Sequence, residues 1–131
     1  MILSDSSVWI DYFNGVKTAQ TDCLNSALGS TPILMGDLIL TEVLQGFQSD
    51  RDFRIARNLL LRFPFMPMGG QELALESAAN YRLLRKKGVT VRKTIDVMIG
   101  TFCIHYSLPL LHDDRDFDPM VKFLGLKTID T

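Results

Sequence analysis

Short runs of consecutive apolar residues alternate along this chain with longer segments in which apolar residues recur every three or four positions. The runs are typical of buried strands, and the longer period is typical of amphipathic helices. The runs predict strands at residues 1–4, 33–35, 65–68, 108–111 and 126–129. Strands that alternate with helices form a mostly parallel sheet with helices on both faces. The pattern therefore predicts an α/β fold with a mostly parallel central sheet.

Turn and cap residues mark the ends of the helical segments. The spacing of apolar residues predicts helices at residues 8–13, 37–47, 52–63, 71–87, 94–106 and 116–124. Pro64 stops the third helix, and Gly88 follows the fourth at the position where glycine is favoured. In the fifth helix, the predicted buried face consists of Ile95, Ile99, Phe102, Cys103 and Tyr106. At about 100° per residue, Asp96 lies on the shoulder of that face and is expected to stay out of bulk water.

Length and composition favour a single domain. The chain has 131 residues, of which 47% are hydrophobic, and this is enough for a continuous core over residues 1–131. No apolar stretch approaches the roughly 18 uninterrupted residues of a membrane helix, and Asp5 interrupts the apolar start that a signal sequence needs. Cys23 and Cys103 belong to no metal-binding or redox spacing, which fits a reducing compartment. We therefore expect a soluble cytoplasmic protein.

The net charge of −1 conceals an uneven distribution. Residues 1–50 carry six acids and one base, residues 51–95 carry ten bases and three acids, and residues 96–131 carry six acids and three bases. An enzyme that gathers acids around a metal ion and also holds a polyanion requires such a division. The alternative is that the bases only form solvated helix faces, and for any single base this alternative is favoured.

Four acidic residues occupy positions from which they can meet at one edge of the sheet. Asp5 ends the first strand, Asp114 follows the strand at 108–111, and Glu42 and Asp96 lie on predicted helices. Ligands of parallel sheets bind beyond the carboxyl ends of the strands. Two unit charges about 5 Å apart repel by roughly 3 kcal/mol at an effective dielectric constant near 20, so four clustered carboxylates need a cation, protons or basic partners. Magnesium or manganese is the simplest solution.

Each of these acids also has a purely structural interpretation. Asp5 can form an Asx turn, Asp96 can be a first-turn carboxylate favoured by the helix dipole, and Asp114 can belong to a solvated loop. Glu42 has the least to gain from such a role, because it lies inside a helix beside an apolar stripe. The four positions by themselves are therefore a weak pattern.

The segments around the acids are more specific than the acids themselves. They are DSSVWI at 5–10, TEVLQG at 41–46, RKTIDVMIGT at 92–101 and LLHDDRDF at 110–117. In this order and at these distances they closely resemble the PIN domain, specifically the VapC-type toxin ribonucleases of toxin–antitoxin pairs. The resemblance spans nearly the whole chain. It implies a three-layer α/β/α sandwich, magnesium- or manganese-dependent endoribonuclease activity on structured RNA such as transfer or ribosomal RNA, a homodimer, and inhibition by a VapB-like antitoxin.

The resemblance also implies roles for individual residues. The residues that match the catalytic, metal-binding acids are Asp5, Glu42, Asp96 and Asp114, and Asp116 matches a further acidic position that assists. Of these, we expect Asp5 and Asp96 to ligate the principal ion, Glu42 to act through water or orient the nucleophile, and the other two to form a second, weaker site. Residues expected to contact the substrate are Ser6, Arg92 and Lys93.

The three expected substrate residues leave alternatives open, and so does His112. Ser6 can hydrogen-bond an acid or a phosphate, but a residue at a strand-to-helix turn is equally a natural N-cap. Arg92 and Lys93 can instead be an exposed loop pair. His112 departs from the family, which more often has threonine or serine two places before the fourth acid. It can carry a proton, but packing at the end of a buried strand is favoured.

Two other functions compete with the nuclease. The first is a noncatalytic PIN-like module that binds RNA or protein, although five intact acids without a metal are a liability for such a module. The second is a phosphatase or receiver-like metal protein. The residues after Asp5 are Ser6 and Ser7, so the closely spaced aspartates of a phosphate-accepting motif are missing.

Overall fold

A computed structural model describes all 131 residues of the protein. The strands are β1 (Ile2–Ser4), β2 (Ile33–Gly36), β3 (Phe65–Met66) and β4 (Leu110–Leu111). The helices are α1 (Ser6–Phe13), α2 (Ala19–Ala27), α3 (Asp37–Leu44), α4 (Asp50–Leu60), α5 (Gln71–Lys86), α6 (Thr94–His105) and α7 (Asp118–Leu124), and a 3₁₀ turn at Arg115–Phe117 precedes α7. None of the helices is both long and apolar enough to cross a membrane.

The four strands form one sheet in the order β3-β2-β1-β4, and every neighbouring pair is parallel. Helix α1 packs against α2 and α3, whereas α5 packs against α6 and α7, so two groups of helices cover the sheet. The predicted α/β/α sandwich with a parallel sheet is confirmed. Strands β1 and β2 lie in the middle of the sheet. Leu3 of β1 and the apolar residues 33–35 of β2 belong to a core cluster of 23 buried residues, and Ile2 packs against that cluster.

The order of the strands positions the acidic residues. Strand β1 lies beside β4 in parallel register, with Leu3 opposite Leu110. The N–H of Asp5 extends this pairing and donates to the carbonyl oxygen of Leu111 at 2.8 Å. The residues that follow β1 and β4 therefore leave the sheet side by side at the same edge.

Three predicted strands differ from the structure. The predicted strand at 126–129 is wrong, because only one isolated bridge pairs Thr128 with Leu110, and both backbone hydrogen bonds of this pairing are made by Leu110. Strand β3 ends at Met66 because Pro67 has no N–H and the N–H of Met68 donates instead to Oδ1 of Asp37 at 2.8 Å. Strand β4 begins at Leu110 rather than at residue 108, whose N–H still closes the end of α6 on the carbonyl oxygen of Cys103 at 2.8 Å.

The predicted helices exist, with shifted ends. Helix α4 begins earlier than predicted because the hydroxyl of Ser49 caps it, and Leu60 is its last residue. The stretch predicted as a helix at 116–124 is divided between the 3₁₀ turn and α7. Tyr106 was wrongly assigned to the buried face of α6, because it caps the end of that helix and 44% of its surface is exposed.

Helix α2 had no predicted counterpart. Its first turn is held by a capping box, in which Thr18 and Thr21 bond each other's backbone N–H groups. Its buried residues are Thr21, Leu24 and Ala27, and only one of these is a large apolar side chain. The apolar stripe was therefore too faint to recognise from spacing alone.

Candidate metal centre and active site

Asp5 caps helix α1 and is almost completely buried, with 4% of its surface exposed. Its Oδ2 accepts hydrogen bonds from the hydroxyl of Ser7 at 2.6 Å and from the backbone N–H of Ser7 at 3.2 Å. Its Oδ1 is buried and has no hydrogen-bond partner. Burial raises the pKa of Asp5, the hydrogen bonds from Ser7 oppose the rise, and the charge of Asp114 adds to it.

Asp96 lies in the first turn of α6 and is also buried, with 6% of its surface exposed. This confirms the prediction that Asp96 lies beside the buried face of this helix and out of bulk water. Its Oδ2 has no hydrogen-bond partner. Burial raises the pKa of the Asp96 carboxyl from 3.8 to about 6, and the negative charges of Asp5 and Asp114 contribute to the rise. Lys93 opposes the rise, and Glu42 adds a smaller contribution to it.

Asp114 and Asp116 follow β4 and face Asp96. One carboxylate oxygen from each of these three residues lies within 4.8 Å of the other two. The backbone N–H of Asp116 donates to Oδ1 of Asp114 at 2.9 Å, which holds the turn that presents both acids. The structure therefore brings together three of the acids assigned to a metal site, from two distant segments of the chain.

Glu42 reaches the same region from α3. Its Oε1 accepts a hydrogen bond from the hydroxyl of Ser6 at 2.9 Å, and its charge adds to the raised pKa of Asp96. Asp5 and Glu42 are outside the group of three carboxylates within 4.8 Å. They are nevertheless close enough to act on the carboxyl of Asp96 through their charges.

The chemistry of this site fits a hard dication. Asp5 and Asp96 each bury a carboxylate oxygen that has no partner, which is unfavourable unless a proton or a cation approaches it. All of the available donors are carboxylate oxygens, the ligand type that magnesium and manganese prefer. Such an ion could thus be held by the five acids of this site, which are Asp5, Glu42, Asp96, Asp114 and Asp116.

Basic side chains surround the opening of the site. A polar cleft of about 820 Å³ contains Arg92, Lys93 and Arg115 together with Asp114 and Asp116. The Nε of Arg92 lies 3.9 Å from Oδ1 of Asp116, and the Arg92 side chain is 79% exposed. Arg115 was not among the predicted substrate residues, although it lies inside the segment LLHDDRDF that carried the family resemblance.

His112 supports the loop that carries Asp114. Its Nδ1 accepts the backbone N–H of Asp114 at 3.1 Å, so the ring proton is on Nε2 in the neutral form. The ring also packs against Phe117, with the centroids 5.0 Å apart. These contacts favour the packing role over the proton carrier.

A second group of possible ligands lies at the other end of α6. Glu72, Glu76 and His105 bring their ligand atoms within 4.8 Å of one another. The Nδ1 of His105 lies 3.0 Å from both carboxylate oxygens of Glu76, so this group already contains a hydrogen-bonded pair. His105 is nine residues beyond Asp96, which is about 14 Å along a helix. The group therefore joins α5 to α6 at a distance from Asp96 and the other acids of the candidate metal site.

Comparisons with known proteins agree with this geometry. The family model for the PIN domain matches residues 2–122. VapC ribonuclease Mb1587 of Mycobacterium bovis is 27% identical over 129 residues, which is 97% of this chain and 96% of the relative. Ribonuclease VapC11 of Mycobacterium tuberculosis has the same identity and coverage.

Solved structures share the fold at low sequence identity. The structure of VapBC2 from Rickettsia felis bound to promoter DNA gives a TM-score of 0.77 at 14% identity, over 98% of each chain. FitAcB from Neisseria gonorrhoeae gives 0.75 at 14% identity, over 99% of this chain and 97% of that chain. The parallel α/β/α sandwich and the acids gathered beyond the carboxyl ends of its strands agree with the family model that matches residues 2–122. The chain therefore belongs to the PIN domain family.

Proposed function

We propose that this protein is a divalent-metal-dependent endoribonuclease that acts as a VapC-type toxin. The observation that carries the proposal is the pair of buried, unpartnered oxygens, Asp5 Oδ1 and Asp96 Oδ2, whose carboxyls are electrostatically coupled to each other and to Asp114. Two relatives that share nearly the full length of the chain bear the name ribonuclease, which supports the reaction. Residues 1–131 act as one domain in this proposal.

The acids hold magnesium or manganese. Asp5 and Asp96 ligate the principal ion, and Asp114 and Asp116 complete a second, weaker site. When bound, such an ion would polarise a water molecule and stabilise charge that develops on the phosphate. Glu42 orients the attacking water, since Ser6 occupies only one of its two oxygens. Protons compete with the metal for the carboxyls, so the affinity for the ion falls as the pH decreases.

The basic residues around the cleft bind the substrate. Arg92, Lys93 and Arg115 contact RNA phosphates in this proposal, and their shared position in the lining of the polar cleft supports that role. Contacts of this type position the RNA but do not read its sequence. The substrate is a structured RNA such as transfer or ribosomal RNA, in which unpaired loops offer access to the backbone.

A partner controls the enzyme in this proposal. The structural neighbours include a toxin–antitoxin complex from Klebsiella pneumoniae and VapBC from Salmonella typhimurium bound to DNA. By analogy, a VapB-like antitoxin inhibits this protein, which forms a homodimer and acts in the cytoplasm. The two free cysteines are compatible with that compartment.

Cleavage of RNA by purified variants tests the proposal. Asp5→Asn and Asp96→Asn are expected to remove metal-dependent cleavage, whereas Asp22→Asn, an exposed carboxylate on α2, is expected to retain it. Expression with and without the neighbouring gene, followed by mapping of RNA ends, identifies the target and the antitoxin together. Full activity in either acid variant would reject the site, and the absence of saturable Mn²⁺ binding to the wild-type protein would favour a noncatalytic module.

A further inference from the structure

The two serines that follow Asp5 serve different acids. Ser7 donates through its hydroxyl to Oδ2 of Asp5 at 2.6 Å and through its N–H to the same oxygen at 3.2 Å. Ser6 donates through its hydroxyl to Oε1 of Glu42 at 2.9 Å, and Glu42 lies 36 residues further along the chain. One oxygen of each acid is thereby held in place by a neutral donor.

Helix geometry explains this division. Ser6 and Ser7 are the first two residues of α1, and successive residues of a helix point about 100° apart. Ser7 can therefore reach back to the carboxylate that caps its own helix, while Ser6 points toward α3, against which α1 packs. The two hydroxyls accordingly bond different carboxylates.

The surroundings of Ser6 disfavour direct contact with RNA. Only 7% of its surface is exposed, so a phosphate has little access to it. A serine hydroxyl has a single proton to donate, and the proton of Ser6 is directed to Glu42. Its effect on the reaction is therefore exerted through that carboxylate.

We propose that Ser6 and Ser7 are positioning residues that each lock one acid of the metal centre, so that the other oxygen of Asp5 faces the cation and the other oxygen of Glu42 faces a water molecule bound to it. This inference rests on the proposed function, because it assumes that the acids bind a metal. It assigns Ser6 to the metal centre rather than to the substrate. The unpartnered Oδ1 of Asp5 is the oxygen that Ser7 leaves free.

Direct measurement of Mn²⁺ affinity without RNA tests the proposal. Removal of a residue that orients a metal ligand typically weakens metal binding by about 10- to 100-fold, and we expect a loss in this range for Ser6→Ala and Ser7→Ala. Ser6→Thr keeps a hydroxyl and is expected to restore the affinity. Ser4→Ala is the matched control, because the buried hydroxyl of Ser4 donates only to the backbone carbonyl of Asp5 at 3.2 Å. We expect that variant to bind Mn²⁺ as the wild type does.

A double-mutant cycle distinguishes an effect through Glu42 from a general loss of structure. In a Glu42→Ala background, Ser6→Ala is expected to cause no further loss of Mn²⁺ affinity, because the group that it orients is already absent. An equal, additive loss in that background would overturn the assignment.

Metal-free RNA binding separates the two possible roles of Ser6. Ser6→Ala is expected to bind RNA in EDTA as tightly as the wild type. Unchanged Mn²⁺ affinity combined with weaker RNA binding would overturn the proposal and make Ser6 a substrate residue. Failure of the wild-type protein to bind Mn²⁺ would instead overturn the proposed function itself, and with it the inference that depends on it.

Discussion

Replacement of Asp96 by asparagine is expected to stabilise the metal-free protein at neutral pH. The folded protein raises the pKa of this carboxyl from 3.8 to about 6, so at neutral pH the ionised carboxylate carries a penalty in the native state that is absent in the unfolded state. A pKa shift of this size lowers the free energy of unfolding at neutral pH by at most about 3 kcal/mol, since one pKa unit equals about 1.4 kcal/mol. The carboxyl lines a cavity that opens beside Arg92 and Arg115. Solvent screening there reduces the expected effect to about 1 to 2 kcal/mol.

The sign of the pH dependence follows from proton linkage. Between pH 3.8 and about 6 the native state binds more protons at Asp96 than the unfolded state, so this residue makes stability fall as the pH rises. Above about pH 6 its penalty is complete, and below pH 3.8 it is absent. The stability advantage of Asp96→Asn should therefore appear on raising the pH through this window and remain constant above it.

The assay is urea unfolding in EDTA from about pH 3.5 to about pH 8, a range that includes the unfolded and the folded pKa of Asp96. Asp22→Asn is the control, because it removes an exposed carboxylate on α2 without changing the cleft. With excess Mn²⁺ at about pH 7.5, the wild-type protein should become more stable than Asp96→Asn, since the ion stabilises the wild type and the variant lacks a ligand. A variant that is less stable than the wild type in EDTA at that pH would refute the reasoning, because the buried charge would then carry no penalty.

Three further predictions concern residues around the cleft. Gly100→Ala is expected to lower the free energy of unfolding by about 1 to 3 kcal/mol in urea, because a Cβ there would collide with Sδ of Met120, and Met120→Ala in the same chain should recover part of the loss. Arg115→Ala should weaken RNA binding and reduce the slope of log affinity against log salt by about 1, with Mn²⁺ affinity unchanged as the check. His112→Asn should retain cleavage and its pH profile, because asparagine Oδ1 can accept the N–H of Asp114 in place of Nδ1, whereas His112→Leu should lose activity. Equal loss in both His112 variants would point to proton transfer by the ring.

The convergence of the acids could be predicted because it depends on topology. Asp5 directly follows β1, Asp114 lies three residues beyond the end of β4, and parallel neighbouring strands end at the same edge of a sheet. The burial of Asp96 could also be predicted, because the helical period places it beside apolar residues. The position of Glu42 needed the family resemblance, since a helix residue carries no mark of which acid it will approach.

What the sequence did not reveal depends on contacts between distant residues. The bond from Ser6 to Glu42 joins α1 to α3, and nothing local to either residue indicates it. Arg115 resembles any other surface base until the 3₁₀ turn places it at the cleft. The strand predicted at 126–129 failed for a similar reason, because apolar spacing does not tell how many residues of β4 are available for pairing.

The dual role of Asp5 bears on how an inactive variant of this protein should be prepared for binding studies. The same side chain caps α1 and is a proposed metal ligand through its unpartnered oxygen. Alanine at this position would remove the helix cap, at a loss of about 1 kcal/mol, together with the metal ligand. Asparagine caps a helix about as well as aspartate does. The Asp5→Asn variant should therefore lose cleavage but keep the surface that an inhibitor recognises. In the Asp5→Ala variant, weaker binding of an inhibitor could come from the lost helix cap as well as from the lost carboxylate.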